Sequence, residues 1–282
     1  DAQSGVKKLV ADKELAAWME ERGYQFSSAN SINIGRLVPQ IVYYVYAYAQ
    51  LVKEGRIKAG EEINVTVPTG NFGNILAAYF AKQMGVPIDK LICASNDNKV
   101  LYDFFKTGVY DKNRPFILTS SPSMDILISS NLERLIYLST GCDAEETKKR
   151  MEELSKDGKY SVTDEMRARM ADFVGGYADQ AANAAEIKRL YDETGYMIDT
   201  HTGVASCVYH NYVKETGDTK KTVIASTASP YKFSRSVMEA IFGSEEGKGE
   251  FELIDEMEKA SGVKIPQAIE EIRKAEIRHN RQ

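Results

Sequence analysis

A loop with two glycines, which joins a predicted strand to a predicted helix, is the part of this 282-residue chain best suited to chemistry. Residues 65–74 read Val-Thr-Val-Pro-Thr-Gly-Asn-Phe-Gly-Asn; they end a β-branched strand over 63–67 and precede an apolar helix over 75–84. The glycine N–H groups and the positive end of the following helix favour an anion such as phosphate. The spacing matches neither a Walker loop nor a dinucleotide fingerprint. The loop alone therefore leaves two interpretations open, an anion cradle and a plain tight turn.

Four other segments carry small polar residues in a distinctive order. They are Ser-Ala-Asn-Ser-Ile-Asn-Ile-Gly-Arg at 28–36, Ser-Ser-Pro-Ser-Met-Asp-Ile at 120–126, Asp-Thr-His-Thr-Gly-Val-Ala at 199–205 and Ser-Thr-Ala-Ser-Pro-Tyr-Lys-Phe at 226–233. Together with the glycine loop, they closely resemble the threonine synthases that use pyridoxal 5'-phosphate (PLP), and the resemblance extends to about Phe242. It implies an α/β fold with a parallel sheet, the three-layer PLP fold type II of tryptophan synthase β. Residues 1–243 would be an incomplete PLP-binding large domain, and residues 244–282 a C-terminal helical extension.

The resemblance also implies roles for individual residues. The phosphate of PLP would be held by the loop residues Gly70, Asn71, Phe72, Gly73 and Asn74. Thr227 would contact the pyridine nitrogen; the alternative is that it caps the next helix, a role for which Ser229 competes. Ser31, Asn33 and Arg36 would bind the anionic substrate, or else serve as a helix cap and a surface ion pair.

One expected motif is missing from the chain. Members of this family carry a Schiff-base lysine in a Ser-Phe-Lys-Asp type of motif well before the segment that matches 28–36, and no Phe-Lys-Asp occurs here. We therefore expect a fragment with no catalytic residue of its own, inactive by itself. Lys82 and Lys232 are interpreted as surface charges, because neither is expected near the aldehyde of a PLP bound at this loop.

Three functions remain open at this stage. By resemblance, the whole enzyme converts O-phospho-L-homoserine and water to L-threonine and phosphate. Alternatively, the chain is a non-catalytic relative that binds phosphate or a phosphorylated metabolite through the same loop. The third hypothesis is a site completed by a lysine-bearing partner chain.

Composition narrows the class of protein. A net charge of −5 argues against nucleic acid as the main partner, and 43% hydrophobic residues suffice for a sizeable core. No apolar run approaches the roughly 18 residues that cross a bilayer. Three scattered cysteines favour reduced thiols over disulfides or a metal site, which is typical of a cytoplasmic enzyme.

Patterning predicts the elements around the loop. A helix is expected over 7–22, and a long helix over 36–54 is apolar all round, so we expect it to be buried. Its four tyrosines, at positions 43, 44, 46 and 48, suit core packing, a binding face or the interface of a homodimer. Residues 143–176 alternate in charge and are expected to be a solvated helical region. Helices over 181–194 and 232–242 and a short buried strand over 222–226 complete the prediction.

Three further polar residues are candidates for the site. Asn96 and Asn98 follow a strand expected over 90–95, where ligands gather in open α/β sheets. His201 lies in the Asp-Thr-His-Thr segment and is a candidate for catalysis or for a structural role.

Overall fold

The described part of the chain comprises residues 5, 8–10, 12–27 and 30–278 of a computed structural model. From residue 12 onward it contains twelve α-helices and six strands. In chain order they are α1 (Lys13–Glu20), α2 (Ile34–Lys53), β1 (Ile63–Pro68), α3 (Gly73–Gln83), β2 (Ile88–Ser95), α4 (Val100–Thr107), β3 (Val109–Asp111), α5 (Leu132–Ser139), α6 (Ala144–Lys156), β4 (Lys159–Ser161), α7 (Asp164–Arg169), β5 (Phe173–Tyr177), α8 (Gln180–Thr194), α9 (Thr200–Thr216), β6 (Thr222–Ile224), α10 (Ser234–Phe242), α11 (Glu250–Ser261) and α12 (Gln267–Lys274). Short 3₁₀ turns occupy Pro122–Met124 and Pro230–Phe233.

The central sheet is parallel throughout, with the strand order β5–β2–β1–β6. Helices cover both faces of the sheet. This is seen in β2, where successive residues belong to different hydrophobic clusters. Leu91 and Cys93 pack with α3 and α4, whereas Ile92 and Ala94 pack with α9. This is the three-layer α/β arrangement expected from the sequence, and it explains why β1 is buried at all six positions.

Strand β5 contradicts the expectation of a charged helical region over 143–176. Helices α6 and α7 lie within that region, but so do strand β4 and most of β5. Two glycines lower the strand propensity of β5, so the sequence pattern does not predict it. Both glycines lie where neighbouring elements pack closely against the strand, one on each face. A Cβ on Gly175 would lie 3.2 Å from the backbone of Tyr102, and one on Gly176 would lie 2.4 Å from a methyl group of Val208.

Helix α2 contradicts the prediction of a buried helix. Only Leu37 and Tyr44 are buried, because α2 packs on α3 along one side. The opposite side is exposed and apolar, and it includes Val38, Val42 and Tyr46. Apolar residues all round a helix therefore indicate burial only where a second element covers the outer face.

The remaining predictions fall close to the observed elements. The helix expected over 7–22 is found as helical residues at 8–10 and, after the cap Asp12, as α1; residues 7 and 11 lie outside the described residues. The strand expected over 222–226 is the shorter, half-buried β6 at the edge of the sheet. At the C-terminal end, Leu253 and Met257 of α11 pack in one cluster with Val237 of α10, and the division at residue 243 stays a prediction. Of the described helices, none is both long and apolar enough to cross a membrane.

Candidate functional site

The glycine loop lies between the end of β1 and the start of α3, as the sequence predicts. Phe72 closes it in a left-handed conformation with φ 66°, unusual for a residue other than glycine. Its ring is buried against Phe105 and Phe173, with centroid distances of 6.0 and 5.6 Å. Within the described residues, the backbone N–H groups of Gly70 to Asn74 have no hydrogen-bond acceptor. The loop therefore presents a row of donors at the positive end of a helix.

Two main-chain carbonyl groups of the loop accept hydrogen bonds from Ser129 and Asn131. The Ser129 hydroxyl donates to the Gly70 carbonyl at 2.7 Å. The Asn71 carbonyl accepts from both the backbone N–H and the side-chain Nδ2 of Asn131, at 3.0 and 2.9 Å. Ser130 contacts only the Asn71 side chain, at 3.3 Å. The sequence analysis missed these residues, although Ser-Ser-Asn directly before an amphipathic helix is a recognisable start signal.

A second support reaches the loop from the 3₁₀ turn. A Cβ at Gly70 would lie 2.4 Å from the Ser123 carbonyl oxygen, so the two backbones are in close contact. The Ser123 N–H donates to His201 Nε2 at 3.1 Å, and His201 Nδ1 lies 2.9 Å from the Asp199 carboxylate. This arrangement makes Nδ1 the protonated nitrogen.

His201 is thus a buried residue that supports the turn. Although burial opposes ionisation of Asp199, hydrogen bonds from His201 and Thr202 hold the pKa of this carboxyl below its usual value. Asp199 also caps α9 by accepting from the His201 N–H at 2.9 Å. Of the two roles considered for His201, these contacts support the structural one.

Asn74 is oriented by a tyrosine from α2. The Tyr44 hydroxyl donates to Asn74 Oδ1, and burial raises the pKa of Tyr44, which keeps the hydroxyl protonated. With Oδ1 occupied as an acceptor, the Asn74 amide is left with Nδ2 as its donor. Tyr44 therefore supports the site, whereas its neighbours Tyr43 and Tyr46 are exposed.

The predicted substrate residues lie beside the loop at the start of α2. Asn131 Nδ2 also donates to the Ser31 carbonyl at 3.1 Å, so a single side chain joins this segment to the loop. Asn33 caps α2 by accepting from the Gly35 N–H at 2.8 Å, and Arg36 is exposed in the first turn. Arg134 braces the same segment by donating to the Ile32 carbonyl at 2.8 Å. The segment and the loop are brought together, while the binding roles stay predictions.

Thr227 and the loop both follow the carboxyl ends of neighbouring parallel strands. Strand β6 pairs with β1 in parallel, with Ile224 beside Thr66, and Thr227 follows the end of β6. Its side chain is exposed, and the cap of the next turn is Ser229, whose hydroxyl accepts from the Tyr231 N–H at 3.3 Å. The competing cap role therefore belongs to Ser229, and contact with a ring nitrogen stays a prediction.

Asn96 and Asn98, by contrast, face other protein groups. Both side-chain amides donate to the Asp125 carboxylate, at 2.8 and 3.0 Å, and Asn98 also bonds both backbone groups of Ile117. They hold the segment that leads into the 3₁₀ turn. Lys82 pairs with Asp172 at 3.0 Å, in agreement with its interpretation as a surface charge.

Comparisons with known proteins agree with this arrangement. Residues 202–279 match the family described as "Threonine synthase, C-terminal". Threonine synthase-like 1 of Homo sapiens is 41% identical over 242 residues, covering 85% of this chain and 32% of that protein. Threonine synthase of Saccharomyces cerevisiae is 34% identical over 280 residues, covering 94% of this chain and 53% of that protein. The chain belongs to the family of threonine synthases and threonine synthase-like proteins.

A solved structure of this family extends the agreement to the fold. PLP-bound threonine synthase of Brucella melitensis superposes with a TM-score of 0.76 at 34% identity, covering 90% of this chain and 52% of that one. The parallel-sheet PLP fold type II is thereby confirmed. The chain spans about half the length of the threonine synthases that it matches, and about a third of the length of threonine synthase-like 1.

The residues present fit the phosphate of PLP. Backbone N–H donors without an acceptor, at a helix N-terminus, suit a phosphate dianion. The close contact between Gly70 and the Ser123 carbonyl leaves no room for a side chain at position 70.

Proposed function

We propose that this chain supplies the cofactor-phosphate, ring and substrate contacts of a PLP-dependent threonine synthase. The whole enzyme would convert O-phospho-L-homoserine and water to L-threonine and phosphate. The observation that carries the proposal is the row of backbone N–H groups from Gly70 to Asn74, none of which has an acceptor in the described part of the chain. Membership of the threonine synthase family supports the choice of PLP as the anion bound there.

When bound, PLP supplies an electron sink that eases proton removal from the amino-acid carbons and loss of the γ-phosphate. The loop N–H groups and the Asn74 amide would hold the cofactor phosphate. The Thr227 hydroxyl would donate to the ring nitrogen; a neutral hydroxyl does not stabilise a protonated ring as a carboxylate would. The proposal assigns no covalent catalytic residue to these 282 residues.

The substrate phosphate would lie near the start of α2. Ser31, Asn33 and Arg36 combine a hydroxyl, an amide and a guanidinium, which together suit a phosphate monoester. Their segment is tied to the loop through Asn131, so cofactor and substrate phosphates would lie in neighbouring sites. A cytoplasmic location and a small-molecule substrate belong to the same proposal.

Binding is tested first with the chain itself. Titration of the ¹⁵N-labelled chain with inorganic phosphate, and separately with PLP, is followed by calorimetry and by backbone amide shifts. We expect both anions to shift the amide signals of residues 70–74 in preference to those of other helix N-termini. Shifts spread evenly over the surface, or none, would contradict the proposal.

Activity is tested in a chimera. The aligned part of Saccharomyces cerevisiae threonine synthase is replaced by this chain, and threonine formation from O-phospho-L-homoserine is measured. Turnover is the expected result. A chimera that binds PLP stoichiometrically but forms no threonine would instead support the non-catalytic phosphate-binding relative.

A further inference from the structure

The two loop carbonyl groups that precede the predicted donors are both bonded by one short segment of distant sequence. Ser129 bonds the Gly70 carbonyl, and Asn131 bonds the Asn71 carbonyl twice. Both side chains are withdrawn from solvent, with exposed fractions of 6% and 1%. The contacts bridge 59 and 60 residues of chain, so they are features of the tertiary fold.

Because each peptide is planar, these contacts also fix the direction in which the next N–H group points. In a planar trans peptide, the carbonyl of one residue and the N–H of the next point in opposite directions. Fixing the Gly70 carbonyl toward Ser129 therefore directs the Asn71 N–H away from it. In the same way, fixing the Asn71 carbonyl toward Asn131 directs the Phe72 N–H to the opposite side.

The same contacts also help to hold Phe72 in its strained backbone conformation. A non-glycine residue at φ 66° costs free energy and persists only where its surroundings hold it. The peptide that precedes Phe72 is the one that Asn131 bonds twice. The Asn131 side chain is in turn held by Arg134, whose Nε donates to Asn131 Oδ1 at 3.1 Å.

We infer that Ser129 and Asn131 are positioning residues that aim the Asn71 and Phe72 N–H groups at the bound anion. The inference rests on the proposed function, because the anion is the cofactor phosphate of that proposal. The two residues do not touch the anion themselves. They set the loop in its binding conformation beforehand, so that binding does not have to order it.

The test uses the full chain with the variants Ser129→Ala and Asn131→Ala. Ser130→Ala is the matched control, since Ser130 reaches only the Asn71 side chain. Dissociation constants for inorganic phosphate and for PLP are measured by calorimetry, and amide shifts of Asn71 and Phe72 are recorded by NMR. We expect each of the two variants to weaken binding about five- to tenfold, as the loss of one orienting hydrogen bond predicts. The control is expected to stay within twofold.

A purely structural role gives a different result. If Ser129→Ala and Asn131→Ala lower the midpoint of urea unfolding but leave both dissociation constants unchanged, the inference is wrong. It is equally wrong if Ser130→Ala weakens binding as much as Ser129→Ala does. Ser129→Ala removes a single hydroxyl and keeps the test available if Asn131→Ala does not fold.

The two proposals fail in different ways. If the unaltered chain shows no phosphate-dependent shift at Asn71 and Phe72, the anion site itself is wrong, and the positioning role is lost with it. If the unaltered chain binds and both variants bind equally well, only the positioning role is refuted.

Discussion

Replacement of Gly70 by alanine tests the tightest contact of the loop. The added Cβ would lie 2.4 Å from the Ser123 carbonyl oxygen, about 0.9 Å short of the ~3.3 Å at which carbon and oxygen normally approach. The obstacle is backbone, and Ser123 is anchored through its N–H to His201. Because neither side can yield by rotation of a side chain, we expect Gly70→Ala to lower the free energy of unfolding by about 1–3 kcal/mol, the usual cost of overpacking. The displaced loop should also lose most of its affinity for phosphate.

Gly73→Ala is the matched control three residues along the same loop. There the added Cβ would lie 3.5 Å from Asn131 Nδ2, an ordinary van der Waals contact. Gly73 opens α3, where alanine is favoured over glycine by at most ~1 kcal/mol. We therefore expect Gly73→Ala to be neutral or slightly stabilising.

Urea unfolding followed by far-UV circular dichroism distinguishes the two variants. Tryptophan fluorescence is unsuitable, because the single tryptophan, Trp18, is 53% exposed on α1. If Gly70→Ala is as stable as Gly73→Ala within about 0.5 kcal/mol, the close contact between the loop and Ser123 does not exist as described. The support drawn from His201 would then be refuted too.

Three other predictions address single residues. Phe72→Gly should be less destabilising than Phe72→Ala by about 1 kcal/mol, because only glycine adopts φ 66° without strain; the reverse order in urea unfolding would contradict the left-handed conformation. The pKa of Asp199 is lower in the folded chain than in the unfolded chain, where it is ~3.9. Its ionised form therefore stabilises the fold in full at pH values above ~3.9, and this stabilisation is lost as the pH falls through the lower folded pKa. The difference in unfolding free energy between the unaltered chain and Asp199→Asn should therefore shrink from pH 6 to pH 3, and a constant difference would disprove it. In the chimera, Thr227→Asp should lower threonine formation more than Thr227→Val, since a carboxylate favours a protonated ring whereas valine removes one hydrogen bond of roughly 0.5–1.5 kcal/mol; the opposite order would return Thr227 to a structural role.

Local signals were enough to predict the strand, loop and helix that form the site. A β-branched run, a proline and two glycines ahead of an apolar helix predict β1, the loop and α3 from adjacent residues. The same signals failed at β5, where Gly175 and Gly176 serve the close packing of α4 and α9. They also failed at α2, because exposure depends on what covers a helix, and composition carries no information about that.

The sequence also could not predict which polar residues bond the loop and which bond other parts of the protein. Asn96 and Asn98 are candidates for the site from the sequence because they follow a strand end, yet their amides bond Asp125. Ser129 and Asn131 were overlooked, yet they bond the loop itself. In each case the deciding partner lies between 27 and 60 residues away, beyond the reach of any local pattern.

Apart from the Asn74 amide, the donors of the proposed phosphate site belong to the main chain, which determines how the site can be tested. Truncating Asn71 to alanine removes a side-chain amide but leaves every backbone N–H group of the loop in place, so its effect on anion binding should be small. The sensitive positions are those that control backbone direction, namely Gly70 through its contact with Ser123, and Ser129 and Asn131 through the loop carbonyl groups. An alanine scan confined to residues 71–73 would therefore underestimate the site. Substitutions at Ser129 and Asn131, which are not proposed to touch the ligand, should have a larger effect on phosphate affinity than Asn71→Ala.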